Sequence, residues 1–214
     1  MVRIISLLLA ALCSNGLLAA ELQVVLQDAE GKPLSDAVVW VSPGPAAASN
    51  VTTPVTALMD QQKRTFMPYV LAVQRGTKVS FPNSDPINHH VYSFSPAKRF
   101  ELRLHHQGEA AQEVLFDQAG LVTLGCNVHD WMLGFILVLD SPWFSQTDAS
   151  GRARLQYAPG SGQQLNLWHP QIAEAEANLS RPLPTQGMAR INLTQPLKRD
   201  PRPQPAPVNL GGSY

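Results

Sequence analysis

GCNVHDWM, residues 125–132, places a thiol, an imidazole and a thioether within seven residues: Cys126, His129 and Met132. These are soft and borderline donors, a set that favours copper over magnesium or calcium. The stretch lies between two apolar runs with strand character, one ending near Leu124 and one beginning near Phe135. Its spacing therefore fits one loop closing around one ion at the mouth of a β-sandwich. A trigonal set of two histidines and one cysteine, with a weak axial methionine, needs one more imidazole from elsewhere in the chain.

That imidazole is available upstream in FPNSDPINHHVYSF, residues 81–94, where His89 and His90 open an apolar strand. Side chains of neighbouring strand residues diverge, so only one of the two can face the metal. Taken together, the two stretches resemble the cupredoxins, in particular the amicyanin and plastocyanin branch. Asn83 and His89 match the family's Asn, five residues, ligand His, and the short Cys-x-x-His-x-x-Met loop is similar to that of amicyanin. The resemblance covers about 80 residues, up to Asp140. It implies a Greek-key β-sandwich with one type 1 copper, bound by His89, Cys126 and His129 as equatorial ligands and by Met132 as the axial one. It also implies a carrier of single electrons cycling between Cu(I) and Cu(II), not an enzyme, with an apolar patch beside the His129 edge (Trp131, Leu133 and Phe135 are close by) for docking a redox partner of the cytochrome c or dehydrogenase kind. Two departures stand out. Asp130 follows the second histidine where many relatives have proline, and His90 stands where the family has an asparagine that ties the ligand loops together. Asn127 is a candidate to make that tie instead.

Each motif residue also has a plainer reading. His89 and His90 could be capped or surface histidines at a strand start, Cys126 a small buried hydrophobe, and Met132 a core filler. The joint presence of both motifs favours the metal. His105, His106 and His169 read more simply as solvated or strand-end residues, and Met59 and Met67, flanking QQKR, as packing residues at a domain edge rather than as copper guides. Two other functions use the same features: copper binding for delivery or tolerance, and a metal-free interaction module.

Around the site the chain reads as all-β. Candidate strands at 22–26, 37–41, 70–73, 78–81, 90–94, 121–124, 135–139, 153–157, 165–168 and 189–193 alternate with turns such as Glu30-Gly31, Gly151 and Pro159-Gly160, and no good helical stretch occurs. Two distant pieces, DAEGKPLSDAVVWV (28–41) and TDASGRARLQYAPGSGQQLNLW (147–168), resemble parts of the carboxypeptidase-regulatory-like, transthyretin-like β-sandwich. The expected map is a signal peptide at 1–20, a split small Ig/transthyretin-like sandwich at 21–55 and 141–197, the copper domain inserted at 56–140, and a disordered tail at 198–214. Two tandem β modules or one irregular sandwich are the alternatives. The linker-like 43–57 is rich in Pro and Ala, and the tail holds Pro201, Pro203, Pro205 and Pro207.

The first twenty residues combine Arg3, a short apolar run and Leu18-Ala19-Ala20 before Glu21, the pattern of a cleavable export signal that is too short for a membrane anchor. The expectation is a periplasmic monomer. Cleavage would also remove Cys13, leaving Cys126 as the one thiol, with no internal disulfide possible. Sixteen basic and sixteen acidic residues give zero formal charge, which argues against nucleic acid or an anionic membrane as partner. Nor is there a nucleophile–base set for hydrolysis or a second His-rich cluster for an oxidase.

Overall fold

The computed structural model describes residues 19–43, 56–177, 180–200 and 202. The export signal, the linker and the end of the tail therefore lie largely outside the described residues. The strands are β1 (Ala20–Gln27), β2 (Val38–Ser42), β3 (Thr56–Leu58), β4 (Asp60–Gln62), β5 (Thr65–Met67), β6 (Val70–Gln74), β7 (Thr77–Phe81), β8 (His89–Ser95) and β9 (Lys98–His105). They continue as β10 (Gln112–Phe116), β11 (Gly120–Cys126), β12 (Leu133–Leu139), β13 (Phe144–Gln146), β14 (Arg152–Tyr157), β15 (Gln164–Trp168), β16 (Arg181–Pro182) and β17 (Met188–Asn192). Among the described residues one four-residue helix, α1 (Glu174–Ala177), interrupts the strands where the sequence suggests no helix.

Residues 56–139 build a sandwich from a five-stranded sheet, β6-β12-β11-β8-β9, and a three-stranded sheet, β10-β7-β3, with the small β4-β5 hairpin beside them. Period-two alternation explains the packing. Val79 and Phe81 of β7, Val91 of β8, Val122, Leu124 and Cys126 of β11, and Ile136 and Val138 of β12 point into one core with Phe66, Phe116 and Met132. β12 is apolar on both faces, so Phe135, Leu137 and Leu139 point the other way and meet Val38, Trp40 and Trp168 in a second cluster.

That second cluster joins the sandwich to two further sheets, β14-β1-β17 and β13-β2-β15-β16, which enclose their own core of Leu22, Val24, Leu26, Val39, Val41, Leu165 and Leu167. β2 serves both clusters because its neighbouring side chains point to opposite faces. The chain leaves this part after β2 and returns at β13, and these two strands pair directly, Phe144 opposite Trp40. Two Asp-x-x-Gly turns punctuate it. Asp28 accepts the amides of Glu30 (3.0 Å) and Lys32 (2.8 Å), and Asp148 those of Ser150 (2.8 Å) and Arg152 (3.0 Å). Gly31 (φ 80°) and Gly151 (φ 70°) take the left-handed position that closes each turn.

Residues 198–200 and 202, the described part of the tail, make specific contacts. Gln171 and Lys198 exchange two hydrogen bonds of 2.7 and 2.9 Å, and Arg202 pairs with Asp200 (2.6 Å), approaches Asp36 (3.4 Å) and stacks 4.0 Å over the Tyr69 ring. The Arg202 charge is balanced by the two carboxylates Asp200 and Asp36. Met59 is fully buried in the core, as the packing reading requires, whereas Met67 is half exposed. No helix among the described residues is long and apolar enough to cross a membrane.

His169 is buried beneath this tail, and its Nδ1 accepts the Gln171 amide at 3.2 Å. Burial first, then the Arg202 charge, pushes its pKa down to about 4. The unfolded chain, with an ordinary histidine, therefore takes up this proton at higher pH than the folded one, so its contribution to stability is present above about pH 6.5 and fades as pH falls toward 4. The difference corresponds to roughly 3 kcal/mol. His169→Gln is expected to flatten the loss of stability between pH 7 and 4 in urea titrations, and an unchanged slope would contradict this.

Candidate metal centre

Strands β8 and β11 run antiparallel as neighbours, with Val91 opposite Cys126 and Tyr92 opposite Gly125. His89, two residues before Val91, shares the inward face, which brings its Nδ1 to 3.7 Å from Cys126 Sγ. Beyond Cys126 the loop turns back on itself through a 3.0 Å bond from the Met132 amide to the His129 carbonyl. The His129 ring thereby lies 5.2 Å from the His89 ring. One ligand atom from each of His89, Cys126 and His129 falls within 4.8 Å of the others. All three residues are buried, and Met132, also buried, packs in the same core cluster as Cys126.

The protonation chemistry suits a cation. His129 has its pKa lowered, first by burial and then by the charges of His89 and Arg64, so the ring is neutral at pH 7 and carries a free lone pair. Its Nδ1 is buried without a hydrogen-bond partner. An orphaned imidazole nitrogen beside a thiol and a second imidazole is a costly arrangement without an acceptor for its lone pair, and a soft or borderline metal ion removes that cost. The residues present therefore fit copper.

The loop that delivers His89 is shaped by Asn83, whose Oδ1 accepts the Asp85 amide at 2.9 Å while its Nδ2 donates to the Ile87 carbonyl at 2.8 Å. Asp85 in turn receives the Arg64 amide (2.8 Å), the Lys63 amide (2.5 Å) and His89 Nε2 (2.8 Å). Burial alone would raise the Asp85 pKa, but these donors outweigh it and hold the carboxyl below its usual range.

His90 faces away from the cluster. Its Nε2 lies 2.8 Å from Glu101, and its Nδ1 lies 2.7 Å from the Asn127 amide nitrogen. Both ring nitrogens are engaged, and the contact to Asn127 ties the loop after Cys126 to the start of β8. The cross-loop tie expected of Asn127 is thus present, with His90 at its other end. Gly125, beside the thiol, leaves room for the Tyr92 ring, whose tip would lie 2.6 Å from a Cβ there and would have to shift. At the surface the Trp131 ring packs against His129 in a tilted contact, with centroids 5.2 Å apart, and is half exposed, as is Val128. Phe135, by contrast, is buried among the residues that join the two sandwiches. His106 is exposed and His169 sits in the other core region, so neither joins the cluster.

The sequence reading missed Asp85. Its offset of four residues from His89 carries no meaning in an irregular loop, and the amides it collects belong to residues more than twenty positions away.

Comparison with solved structures finds likeness to copper proteins over part of the chain. A purple cupredoxin from Nitrosopumilus maritimus is 22% identical, with 39% of this chain and 99% of that one covered and a TM-score of 0.35. Amicyanin from Paracoccus versutus is 20% identical over 47% of this chain and 97% of that one, with a TM-score of 0.36. The copper-containing nitrite reductase of Thermus scotoductus is 21% identical over 54% of this chain and 28% of that one, with a TM-score of 0.39. No family model matches the chain, and no curated protein does.

Proposed function

We propose that this protein is an exported, non-enzymatic copper protein that carries single electrons between periplasmic partners, with His89, Cys126 and His129 as equatorial ligands and Met132 as the axial one. The observation that carries this reading is the buried convergence of two imidazoles and a thiol, one nitrogen of which has no other partner. Copper in such a donor set exchanges one electron between Cu(I) and Cu(II) with little change of geometry. The chain's own residues do the rest. β8 and β11 fix His89 and Cys126 on a rigid sheet, the His90–Asn127 contact locks the two ligand loops together, and the core around Met132 and Phe81 excludes water. Burial of all three cluster residues favours retention of the ion over delivery, because release would require the loop at 127–132 to open.

Repeated reduction by ascorbate and reoxidation by ferricyanide is expected to leave one copper bound per chain. Rapid loss of Cu(I) to a chelator during the cycles would favour delivery instead. The partner, a cytochrome c or dehydrogenase-like protein, docks at Trp131 and Val128, the exposed apolar residues beside His129. Trp131→Ala is expected to slow electron exchange with a c-type cytochrome by roughly tenfold or more at equal copper content, and a rate within twofold of the natural protein would contradict that docking site.

A further inference from the structure

His89 is held differently from the rest of the cluster. Its Nε2 meets Asp85 Oδ2 at 2.8 Å, and the same carboxylate accepts the amides of Lys63 and Arg64, the two residues that connect β4 to β5. Both of these have left-handed backbones, with φ of 53° and 58°, although neither is Gly or Asn. Such a turn is unfavourable for side-chain-bearing residues unless its surroundings hold it. Asp85 supplies that hold, and Asn83 Oδ1 fixes Asp85 in place through its amide.

We propose that Asp85 is the positioning residue of the copper site, a carboxylate that fixes His89 with its proton on Nε2 and its Nδ1 lone pair toward Cys126 and His129, while bracing the ligand against the Lys63–Arg64 turn. The proposal rests on the copper reading of the cluster. Its chemistry follows from donor and acceptor capacity. An ionised carboxylate only accepts, so Nε2 of His89 must donate to it. With Nε2 engaged by Asp85, the ring nitrogen left to bind a metal is Nδ1, 3.7 Å from the thiol. The tautomer that a metal requires is therefore selected before any metal arrives, and the orientation of the ring is fixed with it. Sharing one acceptor between ligand and turn also means that disturbing either is felt by the other.

The two roles separate experimentally. Lys63→Asn with Arg64→Gly installs an Asn-Gly pair that adopts this backbone on its own, so Asp85→Ala in that background acts on His89 alone. Nitrogen-15 NMR of the metal-free protein is expected to show His89 only as the Nε2–H tautomer with Asp85 present and as a mixture of tautomers in Asp85→Ala. Asp85→Glu, which keeps an acceptor-only carboxylate, is expected to restore the single tautomer. Cu(I) affinity, measured by competition with a chromophoric chelator, is expected to fall by roughly 10–100-fold in Asp85→Ala. An unchanged tautomer with affinity within twofold would overturn the proposal. If the Asp85-containing parent binds no copper, the copper reading fails, and the metal-free tautomer still decides the role of Asp85.

Discussion

Cys126→Ala is expected to abolish tight copper binding while leaving the protein folded. The thiolate is the softest of the four proposed donors and the one that sets the site apart from a harder, nitrogen-and-oxygen one. If a four-ligand thiolate and imidazole site supplies roughly 10–16 kcal/mol, one ligand's share is about 3–4 kcal/mol, or two to three orders of magnitude in affinity. The fold is expected to tolerate the change because alanine is also small and apolar, and the thiol, buried at the end of β11, forms no disulfide. Competition with a Cu(I) chelator, with far-UV circular dichroism as the folding control, reads both. An affinity within tenfold of the natural protein would show that the thiol is a core residue and not a ligand.

The second large effect concerns the core that supports the site. Phe81 is fully buried at the end of β7, with its ring 5.6 Å from Phe100 and 6.5 Å from Phe116. It immediately precedes the 82–88 loop that carries Asn83, Asp85 and then His89. Phe81→Ala is expected to cost about 3–5 kcal/mol, since the surrounding rings on two facing sheets cannot collapse fully into the space. Urea unfolding followed by tryptophan fluorescence measures this, and a loss below about 1 kcal/mol would mean that the three-ring cluster does not hold the sandwich together.

The difference between what the sequence makes legible and what it hides follows from the range of the interactions. β1, β11, β12 and β14 have clean alternation or continuous apolar runs bounded by turn residues, and these signals are local. The strands β3, β4 and β5 have only three residues each, and the turn between the last two contains Lys63 and Arg64, which carry no turn signal. That turn depends on a carboxylate far along the chain. β9 was legible only as a strand end near His105, because charged residues alternate with the inward-facing Phe100 and Leu102 and mask the pattern. Cys126 and His129 announce themselves by spacing within one loop. His89 needs the resemblance to separate it from His90, and the structure separates them physically: one turns to the thiol, the other to Glu101 and Asn127. The anchoring of Lys198–Asp200 and Arg202 depends on Gln171, Asp36 and Tyr69, contacts no local rule in a proline-rich segment foretells.

The most direct test of the central claim is the visible absorption spectrum of the purified protein after addition of one equivalent of Cu(II) and desalting. An intense thiolate-to-copper charge-transfer band is expected, with one copper retained per chain. A colourless protein that keeps no copper would contradict it.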